Sequence, residues 1–189
     1  MSDLRIIREA ILSGDNDLVR HMVEEEPSLA SGITDDGLSL LTLAAYHGNR
    51  EALEIIRGKK QEFDLFEAAI VGDNHTIRKR LDAFPAAIHT FSPDGFTALG
   101  LAVRFGQSDT VRLLLSRGAD VNIHSGHPDR VAPLHSASRL GNLELVRMLV
   151  EAGADVNATT DTGDTALKIA MNGRFEHVAN YLQRKGAKP

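Results

Sequence analysis

The amino-acid sequence predicts an all-α fold of six stacked helix pairs, on three observations. An alanine recurs in phase, as Ala10, Ala44, Ala68, Ala102, Ala137 and Ala170, at steps of 34, 24, 34, 35 and 33 residues. An aliphatic side chain stands three residues before each: Ile7, Leu41, Leu65, Leu99, Leu134 and Leu167. Gly14, Gly48, Gly72, Gly106 and Gly141 follow five of the alanines by four residues, whereas the sixth unit has Arg174 there and Gly173 one position early. Self-similarity at such a period marks units that bury their apolar sides only against their neighbours.

The stretch TALGLAVRFGQSDTVRLLLSRGADVN, from Thr97 to Asn122, shows the parts of a unit in order. Leu99, Ala102 and Val103 share one face of a short first helix. Gly106 lets that helix stop and a second begin. Val111, Leu114 and Leu115 form the second apolar stripe, and Gly118 ends it before a polar stretch leads onward. The small alanine lets neighbouring helices approach, where a larger side chain would overpack each interface. Units fall at about residues 3–35, 36–61, 62–94, 95–129, 130–162 and 163–189, read as a single domain over 1–189. In the last helix Asn180, Gln183, Arg184 and Lys185 alternate with Val178, Tyr181 and Leu182, the polar outer face a terminal unit needs.

With 189 residues the chain has enough length for a core, and with no cysteine it has neither disulfides nor thiolate sites. No run approaches a membrane span and the N-terminal stretch has no signal-peptide core, so a soluble, cytoplasmic protein is expected, with no membrane partner. A net charge of -5 speaks against a nucleic-acid partner despite Arg78, Lys79 and Arg80, which read as a solvated helix face.

The residues resemble the ankyrin-repeat family. Ala132, Pro133, Leu134, His135, Ser136 and Ala137 match its T-P-L-H-x-A signature, TALGLA and TALKIA match it in degraded form, and GADVN stands intact twice, ending at Asn122 and Asn157. The first three units replace GADVN with EEEPSLASGITDDG and AFPAAIHTFSPDG. The resemblance implies an ankyrin-repeat solenoid whose helix pairs carry short β-hairpin-like fingers along one edge. The 24-residue step then has a physical meaning. The second helix of unit two runs through QEFD straight into Leu65, leaving no room for a finger, so one finger is expected before that step and three after it. The first two units also recur in the next two at an offset of 58 residues, as Pro27 and Pro85, Gly37 and Gly95, or Leu41 and Leu99 show.

The sequence contains no G-x-S-x-G elbow, phosphate-cradling glycine loop with lysine, H-E-x-x-H or EF-hand loop, and no enzyme is predicted. Glu24, Glu25 and Glu26 precede Pro27 and read as a solvated helix end. His124 and His127, with Asp129 nearby, have metal-like spacing, and a small-ligand or metal-binding protein using this finger is the alternative function. A third ligand of fixed geometry is lacking, so no metal or cofactor is expected. The plainer reading is a finger lengthened by two residues, since Asn122 to Ala132 spans ten and Asn157 to Thr165 eight. The resemblance makes His135 structural, holding the turn before its helix, while Asn122 and Asn157 read as caps of local backbone.

Family resemblance also places the partner surface on the fingers and the exposed side of the first helices, and implies a non-enzymatic protein-protein interaction module, an adaptor or inhibitor, more readily monomeric than self-associated. Carried over residue by residue, the surface comprises Asp35, Asp36, Leu38, Tyr46 and His47; Phe91, Pro93, Asp94, Phe96, Arg104 and Phe105; His127, Asp129, Arg130, Arg139 and Leu140; and Asp161, Asp164 and Asn172. Aromatic and arginine side chains are enriched at interface hot spots. For Phe105 and Leu140, core packing is an equal alternative. A mixed acidic and aromatic groove suits a basic or amphipathic peptide.

Overall fold

Ser39, Thr97 and Thr165 each hold a hydroxyl oxygen 3.1 Å from the amide nitrogen three residues on, and a seven-residue helix follows each. Such caps satisfy donors that a helix start otherwise leaves orphaned. The computed structural model describes residues 3–126 and 129–188. Among them twelve α-helices form six pairs, divided between two compact units, Met1–Phe63 and Asp64–Pro189. The boundary falls within the short 24-residue step.

In the first unit, α1 (Asp3–Ser13) pairs with α2 (Asn16–Glu25), and α3 (Leu40–Tyr46) with α4 (Arg50–Lys59). First helices α1 and α3 pack together, as do second helices α2 and α4. The second unit repeats this with α5 (Leu65–Val71), α6 (Asn74–Ala83), α7 (Ala98–Arg104), α8 (Ser108–Ser116), α9 (Pro133–Arg139), α10 (Leu143–Glu151), α11 (Ala166–Asn172) and α12 (Glu176–Arg184). Its inner row is α5, α7, α9, α11 and its outer row α6, α8, α10, α12. Seven-residue helices do not persist alone in water. Here packing sustains them: every residue of α7 before Arg104 is buried, and likewise every residue of α9 before Arg139. Of the phased alanines, Ala44, Ala68, Ala102, Ala137 and Ala170 are fully buried.

Fingers join the pairs. Thr34 donates its N–H to Leu38 O at 2.8 Å, Ser92 to Phe96 O at 2.8 Å, and Thr160 to Asp164 O at 3.0 Å. In the third finger Ser125 N–H reaches Val131 O at 3.0 Å, six residues on rather than four, which is the two-residue insertion. Lys60 to Asp64 connect α4 to α5 without a finger. Within the second unit the fingers link edge to edge, Gly126 N–H to Gly95 O at 2.6 Å and Asp161 N–H to Asp129 O at 3.2 Å.

Two features depart from the sequence reading or extend it. Where GADVN is replaced, a short 3-10 helix stands instead, over Pro27–Ser31 and again 58 residues later over Pro85–His89, each with proline in its first turn. Asn122 and Asn157 do not cap local backbone. Asp120 and Asp155 already accept the N–H groups of Asn122 and Asn157, at 2.8 and 2.9 Å. The asparagine side chains reach forward instead: Asn122 accepts from Asp155 N–H at 2.9 Å and donates to Gly153 O at 3.1 Å, and Asn157 accepts from Lys188 N–H at 2.8 Å.

Candidate functional site

The first unit presents one finger and the end of α3. Asp35 and Asp36 are exposed at the finger turn, Leu38 is half-buried beneath, and Tyr46 is half-buried as the last residue of α3. The Thr34 hydroxyl donates to Asp36, holding that carboxyl below the usual range. His47 is exposed, yet its Nδ1 lies 3.0 Å from Leu43 O, so the ring is tied to the helix end.

In the second unit Phe91 is 49% exposed beside its finger, and Asp94 accepts the Ser92 hydroxyl at 2.6 Å. Phe96 departs from the expected surface role, being only 7% exposed. It immediately precedes the capping Thr97, the position from which an apolar side chain staples a helix start. The ring lies beside Gly100, where an added methyl would sit in ordinary contact with Phe96 Cδ1 at 3.7 Å. Above it the Arg104 guanidinium lies 5.5 Å from the ring centroid, a cation-π arrangement. Arg104 is exposed and Phe105 half-buried.

Further along the row, Asp129, Arg130, Arg139, Asp161 and Asn172 are exposed, and Leu140 is 45% exposed rather than packed in the core. Arg130 Nε stands 3.9 Å from Asp161. Asp164 is half-buried and pairs with Lys168 at 2.7 Å; this bond and one from the Thr162 hydroxyl hold its carboxyl below the usual range. His127 lies outside the described residues. Met171, 51% exposed, was not singled out from the sequence. Its counterparts Ala69, Val103 and Ser138 are buried, and a residue's position in the repeat gave no sign that this one would face outward.

His124 and His135 lie with ring centroids 6.3 Å apart. His135 is buried, its Nδ1 accepting from Ala132 N–H at 3.0 Å and its Nε2 lying 2.9 Å from Ala158 O, so both ring nitrogens are committed to backbone and neither is open to a metal. Among the described residues no group of three or more His, Asp or Glu side chains is placed to hold an ion.

Twelve paired helices, finger links and a buried alanine in every pair constitute a repeat architecture, and a model of ankyrin repeats matches the chain in three overlapping copies, over residues 7–125, 65–160 and 122–189. The chain belongs to the ankyrin-repeat family. No match was found among curated proteins. Ankyrin repeats are in general protein-protein interaction modules and typically non-enzymatic. Among the described residues no helix is long and apolar enough to cross a membrane.

Proposed function

We propose that this ankyrin-repeat chain is a non-catalytic cytoplasmic adaptor or inhibitor that holds a protein partner on the finger and inner-helix face of its second unit. The observation carrying this reading is the exposed pair at the end of α9, Arg139 and Leu140, in a helix otherwise wholly buried. An exposed apolar side chain beside an arginine is the composition of an interface centre. Arg104, Phe105, Phe91, Asp94, Asp129, Arg130, Asp161, Asp164 and Asn172 extend that surface. Asp35, Asp36, Leu38, Tyr46 and His47 offer a corresponding surface on the first unit. Phe96 is not part of it, because its ring packs inside.

Affinity capture from the source cell tests the reading, using the natural chain beside the Arg139→Ala, Leu140→Ala double variant. A partner recovered by the natural chain and lost with the variant supports it. Partners recovered equally with both, from a variant that unfolds at an unchanged temperature, would place binding elsewhere.

A further inference from the structure

We infer that the first unit binds a basic, extended segment of a partner protein, added edge-on to its finger as a further strand; the inference rests on the protein-binding reading above and concerns the first unit rather than Arg139 and Leu140. The fingers of the second unit show how such an edge is used. The residue after Ser125 and the residue after Thr160 each donate an N–H to the preceding finger, Gly126 to Gly95 O at 2.6 Å and Asp161 to Asp129 O at 3.2 Å. Gly37 stands in the first finger where Gly95 stands in the next, since each donates its own N–H to the residue three before it, Thr34 and Ser92, at 2.8 Å. The carbonyl oxygen of Gly37 has no partner among the described residues, and neither has the N–H of Ser39 two residues on. An acceptor and a donor at that spacing form the open edge of a strand.

The chain has no donor of its own for this edge in the usual place. Residues 60–64 hold no finger, and the finger after them has Pro93 at the position of Gly126 and Asp161, with no N–H to give. A strand from another chain supplies one, its backbone bonds giving hold and its side chains selectivity. Charge decides those side chains. Residues 1–63 hold seven Lys and Arg against twelve Asp and Glu, whereas residues 64–189 hold fourteen of each, so the whole net charge of -5 falls in the first unit. Asp35 and Asp36 are exposed at the finger turn itself. Arg8, whose charge reaches Asp36, is engaged with Glu9 at 2.8 Å. Among the described residues Glu24, Glu25 and Glu26, exposed at the end of α2, have no cation partner. Lysine or arginine in the added strand meets this excess, and Ile33, 61% exposed on the same finger, offers apolar contact. A nucleic acid is repelled by the same carboxylates.

The full chain titrated by fluorescence anisotropy provides the test. The probe is a labelled synthetic peptide of about ten residues that alternates lysine with valine, a strand-forming pattern. Beside it run the same peptide with glutamate for lysine, the lysine peptide N-methylated throughout, and a single-stranded oligonucleotide. The lysine peptide is expected to bind best, and more weakly as salt is raised. Methylation removes the N–H donors and leaves the charge, so it is expected to cost about tenfold or more. Asp35→Lys is expected to weaken the lysine peptide about fivefold, and Asp35→Asn, which keeps the side chain's shape, about twofold. Equal or tighter binding of the glutamate peptide or the oligonucleotide overturns the inference. So does a methylated peptide that binds as tightly as its parent, or lysine-peptide binding untouched by both Asp35 substitutions. If capture of a cellular partner depends on Arg139 and Leu140 while the lysine peptide shows no preference, the first-finger inference alone falls. If the peptides behave as expected while capture ignores Arg139 and Leu140, the second-unit surface falls and the first finger stands.

Discussion

Nε2 of His135 lies 2.9 Å from the carbonyl oxygen of Ala158 while its Nδ1 accepts the Ala132 N–H, so the buried ring is neutral with its proton on Nε2. Protonating Nδ1 would set one N–H against another. Burial, with His124 and Arg139 nearby, pushes this imidazole below its ordinary value, against the opposing pull of Ala158 O and Asp164. The unfolded chain therefore takes up this proton first, at about pH 6.5, and stability must rise with pH wherever the unfolded state holds more protons. The contribution of His135 is complete above that pH and is lost as pH falls through the lowered folded value. Thermal unfolding followed downward from neutral pH should show a declining midpoint, and His135→Gln should flatten the decline. Parallel slopes in the two proteins would remove His135 as the cause.

Asn122 uses both ends of its amide on the next repeat, so Asn122→Ala removes two bonds at once and leaves Asp155 N–H and Gly153 O to solvent. Because the site is exposed, the cost is expected to be about 1–2 kcal/mol. Asn157→Ala should cost less, since its amide nitrogen stands 3.4 Å from Gly186 O, leaving one good bond to the C-terminal turn. Urea unfolding of the two variants checks the order; an equal or reversed order would mean that the asparagines act locally.

Helix pairing, repeat phase, the longer third finger and the absent finger at residues 60–64 were all legible in the sequence, because each follows from spacing. What spacing cannot reveal is direction. Phe96 and Phe91 look alike as finger aromatics, yet one sits in the stapling position before Thr97 beside Gly100, and the other is half-exposed. Asn122 could have closed its own turn, had Asp120 not already taken that N–H. Met171 occupies a position that is buried in α5, α7 and α9, and its exposure depends on which helices flank α11.

The ring of Phe175 packs against two glycines, the regularly placed Gly141 and Gly173, which stands one position early in the sixth unit. A methyl built on Gly141 would fall 2.6 Å from Cε1 of that ring, and one on Gly173 2.7 Å from its Cδ2. Gly173 stays right-handed, and Arg174 takes the left-handed turn, φ 58°, that Gly106 and Gly141 make at 73° and 65°. An L-residue there costs about 1–2 kcal/mol relative to glycine. Arg174→Gly is thus expected to stabilise the chain by about 1 kcal/mol, while Gly141→Ala, strained in backbone and overpacked against Phe175, should lose about 2–4 kcal/mol. Chemical denaturation measures both. An Arg174→Gly chain no more stable than the natural one would show that the left-handed turn carries no strain there.

Ser138 carries a hydroxyl into a fully buried position, and among the described residues its Oγ has no hydrogen-bond partner. Alanine stands at the same place in α3 and α5, as Ala45 and Ala69, and Val103 in α7. Burying an unsatisfied hydroxyl costs about 1–3 kcal/mol, and alanine is smaller, so nothing needs to move to admit it. Ser138→Ala is therefore expected to raise stability by about 1 kcal/mol, or the unfolding midpoint by about 2–4 °C for a chain of this length. Because the side chain is fully buried, binding at the exposed Arg139 and Leu140 should be unchanged. A loss of stability on removing the hydroxyl would show that it is hydrogen-bonded in solution, and would make Ser138 a polar tie of α9 rather than a defect in its packing.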